Sequence, residues 1–160
     1  MTADALLHPL HVFRFHLRFR RTAGSASGPE DICRGAFSEC TGLEATMEPK
    51  AIKAGGLNYG AVQRAGPVSF ATVVLKRGMT SSRDMVTWFQ LVAGGSYAYR
   101  LSAEIEVQNP AGEAVLTWGL DECLPVKFKA ADLNAKGTEV GVEELHLVHQ
   151  GLRLFVAGGG

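Results

Sequence analysis

A chain of 160 residues with 46% hydrophobic and 20% charged side chains is large enough to bury the core of one globular domain without disulfide staples, and we read 1–160 as that single domain. Sixteen Lys and Arg balance sixteen Asp and Glu, which excludes a global field for nucleic acid or an anionic membrane and removes a barrier to self-association. The cysteines (Cys33, Cys40 and Cys123) are an odd, sparse set without a tight pair, as expected of reduced thiols in a cytosolic product.

Residues 1–10 read as a lead-in closed by Pro9. They lack the charged and then apolar plan of a secretory signal, and no apolar run in the chain spans a bilayer. Release from a cell is therefore expected without a signal peptide. Residues 11–20 (HVFRFHLRFR) alternate cleanly: Phe13, Phe15, Leu17 and Phe19 share one face, and Arg14, His16, Arg18 and Arg20 share the other. This is the pattern of a half-buried strand with a basic outer side. Residues 22–31 (TAGSASGPED) form a polar surface loop.

Residues 36–48 resume as strand with a bulge or bend at Gly42. Residues 49–66 hold too few apolar side chains to be a core element, and we expect a long hairpin or arm. Residues 67–76 (PVSFATVVLK) are β-branched on both faces, as in a strand covered on both sides. A basic-glycine turn leads to one helix at about 82–93, capped by Ser81 or Ser82 with Asp84 completing a capping box. Met85, Trp88, Phe89 and Val92 make its apolar stripe, and Gly94-Gly95 stops it.

Residues 99–108 alternate again and return through the turn Asn109-Pro110-Ala111-Gly112 to a strand at 113–120. Further strands are expected at 125–130 and 139–150, the second with a shift of apolar phase that implies a bulge or burial on both faces. Residues 153–160 read as a flexible tail. The sum is mainly β with one helix, which must lie on a sheet or plug a barrel.

Few residues offer chemistry. His146 and His149 lie three apart in a strand, so they point to opposite faces and cannot close on one ion without a bulge. Glu143 and Glu144 diverge in the same way. The segment 55–60 (GGLNYG) has no Lys-Ser/Thr and no helix behind it to cradle phosphate. No catalytic, metal or cofactor residue is assigned, and nothing positive supports an enzyme. The stripe Arg14, His16, Arg18, Arg20 and Arg21 admits two readings, a polyanion-binding module or a solvated or interface face. Zero net charge favours the second.

Four blocks, in order, carry a resemblance: 37–44 (FSECTGLE), 55–58 (GGLN), 75–80 (LKRGMT) leading to Trp88, and 125–129 (PVKFK) with Leu133, Asn134 and 143–152 (EELHLVHQGL). Together they span about 13–152, and the chain resembles the tube proteins of contractile phage tails and extracellular contractile injection systems. The resemblance implies a barrel-like, tail-tube or Hcp-like β protomer with one helix and an extended arm. Its copies would form hexameric rings, stacked as a hollow tube inside a sheath that drives it forward. Partners implied are the chain itself, the sheath, baseplate or spike proteins, tube-like paralogues, and a cargo or tape-measure in the lumen. No specific nucleic-acid binding is expected, and assembly would take place in the cytoplasm. The sequence leaves open the main shaft and the baseplate-proximal initiating ring. Lys53, Asn58, Tyr59 and Arg64 are the candidates for ring stacking, and Arg14, Arg18 and Arg20 for the lumen or the sheath-facing surface.

Overall fold

A computed structural model describes residues 14–21, 37–53, 55–56, 60–79, 83–95 and 100–156. In chain order the strands are β1 (Phe15–Arg21), β2 (Phe37–Thr41), β3 (Ala45–Met47), β4 (Lys50–Ile52), β5 (Val62–Arg64), β6 (Val68–Phe70) and β7 (Val73–Gly78). Helix α1 (Asp84–Ala93) follows, and then β8 (Leu101–Gln108), β9 (Ala114–Lys129), β10 (Val142–Val148) and β11 (Gly151–Val156). Seven of the strands form one antiparallel sheet in the order β1-β8-β9-β10-β7-β2, with β11 also on β9.

The alternation in β1 sets one face of this sheet. Phe15, Leu17 and Phe19 turn inward, while His16, Arg18 and Arg20 are exposed. Across from it, β8 buries Leu101, Ala103, Ile105 and Val107 and turns Glu104 and Glu106 outward. The sheet curls until its end strands β1 and β2 touch, but they do not pair. A cavity of about 230 Å³ lined by Phe15, Cys40, Leu43, Ile105 and Trp118 lies where they approach. The result is an open barrel.

Sequence reading expected separate strands at 113–120 and 125–130, but these are one sixteen-residue strand, β9. Its first half pairs with β8 and β11, and its second half pairs with β10. The break in sequence pattern is a bend, not an end. Leu101 faces Cys123 while Ala103 faces Leu120, so β9 carries one extra residue there, and Glu122 takes a positive φ of 52° to absorb it.

The helix lies against β9 and buries Met85, Trp88 and Val92. Trp88 meets Phe19 edge-on, with ring centroids 5.3 Å apart. Phe89, expected in the same stripe, is only partly covered. The helix starts at Asp84, later than the expected 82, and Arg83 at its N-cap makes no side-chain cap. Ser81 and Ser82, the expected caps, lie outside the described residues. At the other end Gly95, with φ +127°, donates its N–H to the Val92 carbonyl at 3.3 Å and closes the helix.

The arm is real and longer than 49–66. It continues the β2–β7 pair outward as two short ladders, β3 with β6 and β4 with β5. Gly42 makes the bend at its root, with φ +91° and the Thr72 carbonyl where a Cβ would stand. The expected strand at 67–76 is therefore split: Val68 and Ser69 of β6 are exposed in the arm, and only β7 enters the core. At the end of the chain, β11 extends through Val156, which corrects the tail expected to be flexible from 153; residues 157–160, like 1–13, lie outside the described residues.

Because Trp88 is fully buried against Phe19, Trp88→Ala is expected to cost about 3–5 kcal/mol by cavity formation, read as a lowered urea midpoint. An unchanged midpoint would mean that the helix does not fill the core.

Candidate assembly surfaces

The arm presents apolar side chains to solvent in cross-strand pairs. Met47 stands opposite Val68, and Ile52 opposite Val62, all four exposed. Lys50 faces Arg64, and Lys53 follows β4 directly, each exposed. Like charges placed directly opposite disfavour an isolated ladder, and β4 and β5 pack on little but each other. Of the arm residues singled out from the sequence, Arg64 lies in β5 opposite Lys50 and Lys53 lies just past the other end of β4; Asn58 and Tyr59 lie outside the described residues.

The outer face of β1, β8, β9 and β11 is the second surface. Arg18 and Arg20 stand on it, but neither is an unbalanced cation. Arg18 Nη2 lies 3.5 Å from Glu106 Oε2 and Arg20 Nη2 lies 3.6 Å from Glu104 Oε2, each reaching the acid diagonal to it across the β1–β8 ladder. Arg153 of β11 pairs with Asp121 of β9 on the same face. These pairs neutralise Arg18, Arg20 and Arg153 locally, while Arg14, in the same alternation, stands exposed beside them. Pairs this exposed contribute little stability each, on the order of 0–1 kcal/mol. Arg14 precedes β1, exposed, and its carbonyl accepts from the Gln108 N–H at 3.0 Å. The outer edges of β1 and β11 pair with no strand among the described residues.

A third group was missed by sequence reasoning. Val73, Leu75 and Arg77 share the inner face of β7, so the arginine enters the core, where it is 2% exposed. Its guanidinium forms a fork with Asp84 of α1, Nη2 to Oδ1 at 2.7 Å and Nη1 to Oδ2 at 3.1 Å. Nη2 also reaches Glu143 Oε2 of β10 at 3.4 Å, and Cζ sits 5.6 Å from the Phe37 ring centroid. The parity of residues 73, 75 and 77 was the available signal; reading 76–78 as a turn hid it. Glu143 and Glu144 do diverge: Glu144 turns outward to His146 Nε2 at 3.2 Å and lies 4.0 Å from Lys76.

His149 is buried in the β10–β11 turn, its Nδ1 3.0 Å from the Gly151 carbonyl and its ring against Phe70 at the arm's root. It and His146 take separate partners. Burial pushes the Cys40 thiol up to about 11 and the Cys123 thiol up to about 12, so both stay protonated and unreactive near neutral pH. Cys33 lies outside the described residues. No group of His, Cys, Asp and Glu among the described residues could hold a metal ion, and no helix there is long and apolar enough to cross a membrane.

Arg77→Ala would leave Asp84 and Glu143 facing each other half-buried without the cation, and a loss of about 3–5 kcal/mol in urea unfolding is expected. Burial holds the His149 pKa below its ordinary 6.5, against the opposing pull of the Gly151 carbonyl and Asp121. The unfolded chain then binds the proton more readily. Stability is full above pH 6.5 and falls as pH drops from there through the folded pKa. His149→Phe should flatten that limb of a stability–pH curve. A lower limb remains from Glu144, whose pKa is held below 4.5 chiefly by the His146 hydrogen bond.

Several solved structures share this fold. A chain of the anti-feeding prophage baseplate, in a 6-fold symmetrised cryo-EM structure, is 27% identical, with a TM-score of 0.78 over 95% of this chain and 99% of that one. A chain of the PVC extracellular contractile injection system, from its sheath-tube complex in the extended state, is 19% identical, with a TM-score of 0.75 over 98% and 99%. Hcp1 from Salmonella typhimurium shares the fold more distantly, at 10% identity and a TM-score of 0.53 over 91% and 89%. None of the curated proteins matches the chain. Residues 11–153 match the family described as T4-like virus tail tube protein gp19, so with the open barrel, helix α1 and the arm in place, the chain belongs to that tail tube family.

Proposed function

We propose that this tail tube-like protein is a structural subunit of a contractile injection system, forming hexameric rings that stack into a hollow conduit for cargo. The observation that carries this reading is the four-stranded half-sheet β1-β8-β9-β11. Its strands alternate in direction and both of its outer edges are unpaired among the described residues. With an even number of alternating strands, β11 of one copy meets β1 of the next in antiparallel sense, so a ring of copies closes without a mismatched seam. Closure also removes the exposed edges that would otherwise invite aggregation.

The outer face of that half-sheet then lines the lumen, and the arm, with Lys53, Asn58, Tyr59 and Arg64, makes the contacts between rings. The mechanism is mechanical. The tube advances when a surrounding sheath contracts, the energy is stored in the sheath, and the chain performs no chemistry of its own and needs no cofactor. The stronger likeness to a baseplate chain of a 6-fold particle supports the baseplate-proximal ring that initiates a tube. Baseplate or spike proteins lie on one side of such a ring and tube-like paralogues on the other. The particle assembles in the cytoplasm.

Negative-stain imaging and sedimentation of the purified chain at high concentration test the proposal; rings or short tubes are expected, and a lone monomer throughout would overturn it. Lys53→Glu with Arg64→Glu should leave rings but abolish stacking. Normal stacks from that double variant would remove the arm from the interface between rings.

A further inference from the structure

The β10–β7 ladder has two distinct ends. At one, Leu147 faces Val73, and the chain leaves through Thr72 into the arm. At the other, Val142 faces Gly78, and the Met79 N–H donates to the Gly141 carbonyl at 2.7 Å. Six residues of β7 separate the two ends, roughly 16–17 Å at the usual rise of a strand.

The second end carries a groove of about 610 Å³ under the loop 130–141, lined by Lys129, Asp132, Lys136, Glu139, Val140 and Glu144 among others. Leu133 and Val140 on that loop are 88% and 75% exposed, the two most exposed large apolar side chains among the described residues. The groove offers three carboxylates against two lysines, whereas the arm offers Lys50, Lys53 and Arg64 against Glu48. Asp132 and Glu139 make no ion pair among the described residues, and neither do Lys50, Lys53 and Arg64. The arm's exposed Ile52 and Val62 match the loop's exposed Leu133 and Val140 in character.

We propose that the groove under the loop 130–141 is the seat for the arm of a second copy of this chain, β4 and β5 laying Ile52 and Val62 on Leu133 and Val140 while Lys50 and Arg64, on the same face of the ladder, meet Asp132 and Glu139. This rests on the tube reading and names the arm's receptor within it. Because arm and groove occupy opposite ends of the same strands, the contact is head-to-tail. It leaves a free arm at one end of every pair and a free groove at the other, so it propagates and does not close as a dimer. Apolar burial supplies the affinity, and the opposed charges set orientation and register.

The test uses the full chain with Cys33→Ser in the background. A copy carrying Ile52→Cys is mixed with a copy carrying Val140→Cys at high concentration and oxidised, and the disulfides are identified by mass spectrometry. The mixed 52–140 linkage is expected to exceed either like–like linkage roughly tenfold, since docking raises the effective concentration of that pair alone. In parallel, Leu133→Lys with Val140→Lys, both at solvent-exposed positions, should leave rings intact and abolish stacks. Lys50→Glu should likewise fail to stack until combined with Glu139→Lys. Rings that stack normally despite the lysine pair, or an Ile52→Cys copy that links through position 52 to a different site, overturn the groove assignment and leave the tube reading standing. A lone monomer from every variant and from the unaltered chain overturns both.

Discussion

The guanidinium of Arg77 is the interaction on which the rest of the protomer depends. It joins four elements at one point: it belongs to β7, forks onto Asp84 at the first turn of α1, reaches Glu143 of β10 and lies by the Phe37 ring of β2. Taking a cation out of water costs several kcal/mol, and only good geometry and paired charge offset it. The two carboxylates supply that here. An apolar core alone would hold the helix anywhere along the sheet that buries Trp88. The fork specifies one place, because Asp84 has to reach a fixed point on the barrel wall. Arg83 at the N-cap has no acceptor with which to cap the helix, and the Met85 N–H donates instead to Asp84 Oδ1 at 3.0 Å.

Much of this fold was legible in the sequence because period-two alternation survives wherever one face meets water. It placed the inward residues of β1 and β8, the turn at 109–112 and the thinly anchored arm. Legibility failed where local composition and tertiary role diverge. Gly119 and the Asp121-Glu122 pair look like the end of a strand, yet β9 continues because a single bulge absorbs the irregularity. Lys76-Arg77-Gly78 looks like a turn because buried arginines are uncommon, and a carboxylate seven residues on and another on a distant strand help make this one tolerable. Among the candidate surface residues, the position of Arg18 and Arg20 on an outer face was readable. Their neutralisation by Glu106 and Glu104 was not, because strand register is set by long-range pairing that a single sequence does not display.

Charge and edges together give the tail tube fold its character in this chain. The outer face of β1, β8, β9 and β11 pairs three of its arginines with carboxylates, and its edge strands β1 and β11 pair with no further strand among the described residues. In the proposed assembly those edges direct association sideways. Association along the strand axis then falls to different residues, those of the arm and of the loop 130–141. Separating the two directions onto separate elements lets one vary without disturbing the other.

The bend at Glu122 bears on how a push travels. β9 is one unbroken backbone that lies in the polar half-sheet up to Asp121 and beside β10 beyond it, and β10 in turn holds β7, from which the arm springs. A load applied along that half-sheet therefore reaches the root of the arm through covalent bonds and two hydrogen-bonded ladders, β9–β10 and β10–β7. A chain whose two halves met through a flexible linker would lose stroke at that joint. This one behaves as a beam.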